Sequence, residues 1–384
     1  MTRYVKGNQV TLLRNGAEYF PALASAIDGA EHEIYLQTYI YKADATGRFI
    51  SDALIRAASR GVKVYMLLDG FGSKSLSKAL LQNLQKAQIQ VMFYRPKVSP
   101  WTFKRNRLRR LHSKVVVIDG RIAFVGGINV IDDMDVPHGI APRVDYAVQV
   151  QGPLLEPITE RARRLWRHIS FTHFRHVNES SLPERPGPSV AGNMLAAFLV
   201  RDNVLHRRDI EHAYLTAIAH ARSEIIIANA YFFPGRRFRH ALVLAAQRGV
   251  KVKLLLQGRM EYLLMYATHE FYSAFLHHGI EIFEYQKSFM HSKVAVIDSK
   301  WATVGSSNID PFSLLLAREA NVVVQNAAFA SELREDLLRS IEEGAVQIEP
   351  KYWRRGRIHK RFISWLMYGF LRFALGLIGY PNKH

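Results

Sequence analysis

Two imidazoles, two ammonium groups and two carboxamides occur in the same order at two places in the chain. The segment from Leu111 to Asn129 reads LHSKVVVIDGRIAFVGGIN, and the segment from Met290 to Asn308 reads MHSKVAVIDSKWATVGSSN. His112, Lys114, Asp119, Gly126 and Asn129 recur as His291, Lys293, Asp298, Gly305 and Asn308, each pair separated by the same 179 positions. A single His-x-Lys-x4-Asp is a weak signal, but two copies in register are a strong one. These residue types suit a phosphate diester, whose transition state gathers negative charge on oxygen. Ammonium and amide donors stabilise that charge without a metal. One imidazole can attack phosphorus and form a covalent phosphohistidine, while the other protonates the leaving oxygen and later deprotonates the acceptor. The candidate catalytic set is therefore His112, Lys114, Asp119, His291, Lys293 and Asp298, with Asn129 and Asn308 as phosphate donors. Ping-pong kinetics are expected.

The spacing also says which elements must hold these groups. His and Lys two apart on a strand share a face. Val-Val-Val-Ile, Asp119-Gly120 and Ile-Ala-Phe-Val read as strand, tight turn and return strand. The return strand runs into Gly126-Gly127, where backbone can approach a ligand, with Asn129 just beyond. Asp119 lies at an odd offset from His112 and faces away, so it reads as a structural anchor within the motif, as does Asp298. Each histidine needs a partner on its other ring nitrogen. Asp145 in RVDYAVQVQG, 33 residues after His112, and Glu319 in REANVVV, 28 residues after His291, are the candidate carboxylates, each expected to partner the histidine of its own half, the alternative being surface groups on a strand face.

The duplication extends beyond the motif. EIYLQTYIY from Glu33 matches EIIIANAYFF from Glu224, and each leads through an amphipathic helix to Arg-Gly-Val-Lys-Val, where a glycine ends the helix and a strand begins. VYMLLDG and VKLLLQG follow, then a helix and a short strand, VMFY or EIFEY. Strands alternating with helices, twice over, predict a duplicated α/β fold. The proline-rich stretch LPERPGPS reads as a linker. The expected division is 1–181 for the first unit, 182–189 for the linker, 190–345 for the second unit and 346–384 for a C-terminal tail.

Fifty-two Lys and Arg against 33 Asp and Glu give a formal charge of +19, which attracts nucleic acid or an anionic lipid surface. The absence of cysteine removes disulfides, thiolate nucleophiles and Cys-ligated zinc. HExxH and Gly-rich nucleotide loops do not occur, and no metal or cofactor is expected. Trp101, Arg105 and Arg107 lie in a basic, aromatic run just before the first motif and are expected to dock on anionic headgroups. Arg354 and Arg355 precede ISWLMYGFLRFALGLIGY, which contains Trp365 and Arg372. Arg372 in the middle of this apolar stretch favours a helix lying in the membrane interface over one crossing it. No apolar h-region follows the N-terminal residues, so no secretory signal is expected, and the basic tail favours the cytoplasmic face of the inner membrane.

With these residues in hand, the sequence resembles the phospholipase D superfamily, whose signature is HxKxxxxD repeated in one chain. Glu33 to Ser73, IAFVGGIN, ANAYFFPG and ATVGSSNIDPFSL…REANV further resemble bacterial cardiolipin synthases, of the shorter type without N-terminal membrane spans. The resemblance implies two similar phospholipase D-like domains, each a mixed sheet flanked by helices, packed as a pseudo-dimer around one site. It implies transfer of a phosphatidyl group to phosphatidylglycerol, giving cardiolipin, with no metal. It also implies His112 as nucleophile and His291 as general acid and base. The partners it implies are anionic phospholipids and a membrane surface; the oligomeric state stays open. Ser113 and Ala317-Arg318 depart from the common pattern and bear on substrate preference. Phospholipid hydrolysis at the same site is the alternative. A nuclease is a more distant one, since the apolar tail has no use in the aqueous phase.

Overall fold

The computed structural model describes residues 2–96, 109–136, 140–172, 189–202, 205–258, 263–310 and 317–350. Trp101, Arg105, Arg107, Arg354, Arg355, Trp365 and Arg372 lie outside these residues, as do 182–188 of the expected linker and the tail beyond 350.

The first half comprises β1 (Val5–Arg14), α1 (Asn15–Asp28), β2 (Glu33–Thr38), α2 (Ala45–Ser59), β3 (Lys63–Asp69), α3 (Lys78–Lys86), β4 (Gln90–Tyr94), β5 (Lys114–Ile118), β6 (Ile122–Gly126), β7 (Arg143–Val144), β8 (Tyr146–Gln151) and α4 (Leu155–Thr172). The second comprises β9 (Met194–Arg201), α5 (Asp209–His220), β10 (Glu224–Asn229), α6 (Arg236–Gln247), β11 (Lys251–Gln257), α7 (Leu263–His277), β12 (Glu281–Tyr285), β13 (Phe289–Met290), β14 (Lys293–Ile297), β15 (Trp301–Gly305), β16 (Glu319–Gln325), α8 (Ala327–Gly344) and β17 (Ala345–Gln347).

Each half is a mixed α/β sheet, as the duplicated sequence predicts. The order β4-β3-β2-β5-β6-β8-β1 in the first is matched by β12-β11-β10-β14-β15-β16-β9 in the second. The halves do more than pack together. β1 pairs antiparallel with β9 at Val5–Ala196 and Asn8–Met194, joining them into one sheet of 15 strands. β17 adds to the far edge beside β12, so the second half's sheet continues to Gln347, slightly past the expected boundary.

The strands next to the motifs are buried along their whole length, as β2 and β14 show. Such strands read as unbroken apolar runs because both faces are covered. Helices α1 to α3 cover one face of the first half, and α5 to α7 the equivalent face of the second. The other faces share one core with α4 and α8, drawing on Val117 and Val148 from one half and Val294 and Val322 from the other.

Local signals fix the boundaries. Asp44 caps α2 by accepting from Gly47 N–H at 2.8 Å. Arg-Gly-Val-Lys-Val behaves as predicted: Gly61 and Gly249 take φ of +90° and +89° after α2 and α6. The β5–β6 turn places Asp119 and Gly120 at positive φ, and the β14–β15 turn does the same with Asp298 and Ser299. This is the geometry that two-residue hairpins prefer.

Candidate active site

The two motifs are built alike, with one difference from the sequence reading. Lys114 and Lys293 open β5 and β14, while His112 and His291 stand just ahead of those strands. Each lysine turns back on its own motif, Lys114 Nζ donating to His112 O at 2.7 Å and Lys293 Nζ to His291 O. The histidine backbones are held by the opposite half. His112 N–H and Ser113 N–H both donate to Arg318 O, at 3.0 and 2.8 Å. His291 N–H donates to Val144 O at 2.8 Å, beside the parallel β13–β7 pairing.

The rings follow the same exchange. His112 Nδ1 lies 3.0 Å from each carboxylate oxygen of Glu319. His291 Nδ1 lies 2.6 Å from Asp145 Oδ2. Both candidate carboxylates thus orient a histidine, but the pairing expected within each half is exchanged: each serves the histidine of the other half, because the strand ends meet across the seam. With Nδ1 engaged, Nε2 is the nitrogen left for chemistry.

One electrostatic field covers both motifs. Burial lowers His112 below the usual imidazole value; Lys114 and Lys293 add to this and Glu319 opposes it. Burial holds His291 well below that value, helped by Lys293, Arg143, Lys114 and His112. Burial also brings Lys114 down to about 7 and Lys293 to about 8. Asp145 is pushed up to about 6 by burial, against the pull of Lys293, Lys114 and Arg143. The resting site therefore holds neutral imidazoles beside two lysines that titrate near neutral pH, and a bound anion would favour their charged forms.

The aspartates of the motif leave the catalytic set. Asp119 sits at the far end of β5 and accepts from Glu31, His32 and Glu33 N–H at 2.8 to 2.9 Å. Asp298 accepts from Arg222, Ser223 and Glu224 N–H at 2.8 to 3.0 Å. They are anchors, as expected, but the reason is length rather than face. Seven residues of strand carry the carboxylate roughly 20 Å from the histidine.

The glycines after the return strands make room for protein groups and not for a ligand. A Cβ on Gly127 would lie 2.3 Å from Asp145 Oδ1, and one on Gly126 would lie 2.4 Å from Ala147 Cα. The second half has Ser306 in the place of Gly127, and its hydroxyl donates to Glu319 Oε2 at 2.5 Å. Asn129 is buried with Oδ1 accepting from Ile40 N–H at 3.1 Å, which leaves its NH2 as the free end. Asn308 is equally buried.

Of three further groups at the site, sequence reasoning missed Arg143, while Tyr39 and the turn at Asp69 read equally as pocket lining or as packing. Arg143, two residues before Asp145, is buried and acts on His291 and Lys293. Tyr39 sets its ring 5.0 Å from that of His112 and 5.5 Å from Lys114 Nζ. Asp69 accepts from Leu111 N–H at 2.8 Å and so fixes the residue before His112. The repeat alignment of Asp69 with Gln257 was the available clue to an asymmetric role.

A duplicated α/β chain whose halves exchange carboxylates around paired His-x-Lys strands defines a phospholipase D-type phosphodiester transferase. Comparison with known proteins narrows this. Residues 23–134 and 214–341 match the family described as "Cardiolipin synthase, PLD-like domain". Cardiolipin synthase B of Escherichia coli K12 is 38% identical over 99% of this chain and 91% of its own length. The major cardiolipin synthase ClsA of Bacillus subtilis is 31% identical over 88% of this chain and 70% of its own. In fold, the chain is similar to phosphatidylserine synthase of Haemophilus influenzae, with a TM-score of 0.66, 13% identity and coverage of 98% and 96% of the two chains. The chain belongs to the cardiolipin synthase family, phosphatidyltransferases of phospholipid synthesis.

Proposed function

We propose that this enzyme makes cardiolipin by moving a phosphatidyl group to the glycerol headgroup of phosphatidylglycerol, through a phosphohistidine on His112. The observation that carries this reading is the reciprocal pairing of His112 with Glu319 and His291 with Asp145, around two lysines of depressed pKa. His112 Nε2 attacks phosphorus, the bond to the donor's headgroup oxygen breaks, and His291 supplies that oxygen's proton. The acceptor hydroxyl then gives its proton back to His291 as its oxygen displaces His112. Lys114, Lys293, Asn129 and Asn308 carry the charge on the phosphoryl oxygens. The anionic diester seated between the lysines raises His291 toward the protonated state it needs as an acid.

The assignment of His112 as nucleophile follows the family resemblance. In this reading, residues 1–181 and 190–345 are the two phospholipase D-like units and each completes the other's histidine. The charge of +19 and the basic, aromatic segments around 101–107 and 354–372 support docking on an anionic bilayer, with the site at the cytoplasmic face of the inner membrane.

Liposomes of phosphatidylglycerol, with and without phosphatidylethanolamine, test the reaction by product mass. Cardiolipin supports transfer, whereas phosphatidic acid alone means hydrolysis. DNA cleavage without lipid turnover would replace the reading with a nuclease. His112→Ala and His291→Ala are each expected to abolish turnover.

A further inference from the structure

The catalytic groups are repeated on both sides of the site, but the charge around them is not. Phe71 stands in the loop after β3, 41% exposed, with Lys74 Nζ and the Arg110 guanidinium each 5.1 Å from its ring centre. Tyr94 ends the neighbouring β4 and pairs with Asp69 in the β3–β4 register. The guanidinium groups of Arg95 and Arg318 lie 5.5 and 5.9 Å from its ring centre, and Arg318 Nε donates to its hydroxyl at 3.4 Å. This cluster borders the first motif. Arg318 O holds the N–H groups of His112 and Ser113, and Arg318 N–H donates to Arg110 O at 2.8 Å.

Two contrasts set the cluster apart. At the equivalent positions around the second motif, Gln286 follows Tyr285, Phe289 precedes Met290 and Val144 precedes Asp145, so Arg95, Arg110 and Arg318 have no charged counterpart. Chemistry that uses both motifs does not call for such one-sided charge. In addition, none of the four cations makes an ion pair with another described residue. Arginines elsewhere on the surface are neutralised, Arg14 by Asp336 at 3.0 Å and Arg56 by Asp28 at 2.8 Å. Asp69, at the end of β3, already accepts from the N–H groups of Phe71, Gly72 and Leu111. Positive charge left uncompensated around an exposed aromatic ring is matched to an anionic partner with an apolar layer behind it.

We propose that Phe71, with Lys74, Arg95, Arg110 and Arg318, forms a docking surface for the anionic headgroups of a bilayer, at the strand ends that carry the first motif. Lipid phosphates meet the cations, and the Phe71 ring enters the headgroup layer, where aromatic side chains settle. Arg95 and Arg110 also bracket in sequence the basic, aromatic run that contains Trp101, Arg105 and Arg107, so the positive charge is continuous along the chain. This inference rests on the reading of the substrate as a membrane lipid and deepens it. It adds an orientation: the enzyme meets the bilayer on the side of His112, and anionic lipid is gathered beside that histidine.

The test uses the full chain and flotation with vesicles of phosphatidylcholine, with and without phosphatidylglycerol. Lys74→Gln and Arg95→Gln together are expected to lower affinity for the phosphatidylglycerol vesicles roughly 30-fold, the weight of two cations near an anionic surface. Phe71→Ser is expected to lower it about fivefold. Lys251→Gln and Lys300→Gln remove the same charge from the start of β11 and from the β14–β15 turn, at the far strand ends. That pair is expected to change affinity less than twofold. Release of nitrophenol from a short-chain phosphatidyl-p-nitrophenol, dissolved as monomers, should stay within twofold of the parent in every variant, which also shows that each is folded. An equal loss of affinity from the two charge pairs would mean that net charge alone acts, and the proposal fails. It fails too if neither Lys74→Gln with Arg95→Gln nor Phe71→Ser weakens binding, or if monomer turnover falls in step with it. Loss of affinity for duplex DNA, with vesicle binding intact, would make the cluster a nucleic-acid surface and overturn the proposal. Vesicle binding by the parent enzyme without any cardiolipin would instead overturn the transfer reading and leave this surface standing.

Discussion

His112 takes its orienting carboxylate from Glu319, 207 positions further along the chain and on the opposite side of the β1–β9 seam. His291 takes Asp145 in return. The two histidines are therefore each oriented by the half to which they do not belong. Replacing Glu319 with Gln or Asp145 with Asn keeps the shape but permits the wrong ring tautomer. Each change should lower cardiolipin formation by about 10²–10⁴-fold, the range such an orienting carboxylate commands. Circular dichroism should be unchanged. If His112 is the nucleophile, Glu319→Gln slows phosphoenzyme formation itself, and rapid-quench kinetics will show no burst.

The covalent step can be located directly. Acid-labile label from phosphorus-labelled donor should be found on the peptide containing His112 in the parent enzyme. It should accumulate when His291 is replaced and a donor with a good leaving group, such as p-nitrophenol, is supplied. Label on the His291 peptide would reverse the roles of the two histidines.

The pH profile follows from the shifted groups. Asp145 is held up at about 6, so below that pH it is protonated and cannot orient His291. Lys114 and Lys293 are held down at about 7 and 8, so each loses its charge as pH rises through those values. kcat/KM should rise as pH passes about 6 and fall above about 7 to 8, reporting the free enzyme. Lys114→Arg keeps its charge at all these values. It should move the alkaline limb upward even if the rate is lower.

Gly127 and Ser306 occupy equivalent positions and should respond differently. Gly127→Ala places a methyl against Asp145 Oδ1, at 2.3 Å before relaxation, and must displace that carboxylate from His291. Ser306→Ala removes a hydroxyl donated to Glu319 and costs about 1.5–3 kcal/mol, the usual worth of a hydrogen bond to a charged group. Thermal melts together with kcat will separate the two. Activity falls in both, with the larger relative fall in kcat for Gly127→Ala.

Asp119→Ala and Asp298→Ala should damage folding more than chemistry. Each carboxylate gathers three backbone N–H groups that would otherwise be left unpaired. A loss of about 2–4 kcal/mol is expected from denaturant melts. Activity per folded molecule should remain within a few fold of the parent. The Asp298 carboxyl is held below its ordinary value because its hydrogen bonds from Ser223, Glu224 and Arg222 outweigh burial. Its contribution is therefore present above about pH 4 and lost as pH falls through the folded value.

Much of this was legible in the residues. The duplicated HxK strands, the tight turns at Asp119 and Asp298, and the glycine helix ends at Gly61 and Gly249 are local signals, and local chemistry set them. The identity of Asp145 and Glu319 as orienting groups was also visible, because few carboxylates lie on downstream strands. Their exchange between halves was not: nearness in sequence favoured the partner within each half, and the meeting of strand ends across the seam overturns it. Gly127 read as space for a ligand because a glycine shows that room is needed without showing for what. Arg143 carries no spacing rule and was found only where the strands meet, and Tyr39, open in sequence between pocket and packing, is placed beside His112 by the strand ends.

The hydrogen-bonded seam between β1 and β9 has a mechanical consequence. Two lobes that share backbone pairing and one core would have to break both to part like jaws, so turnover is expected to proceed without a rigid-body opening step. Passage of lipid is then expected to depend on local changes at the strand ends, and substitutions that alter rate while leaving the chemistry intact are expected to fall there.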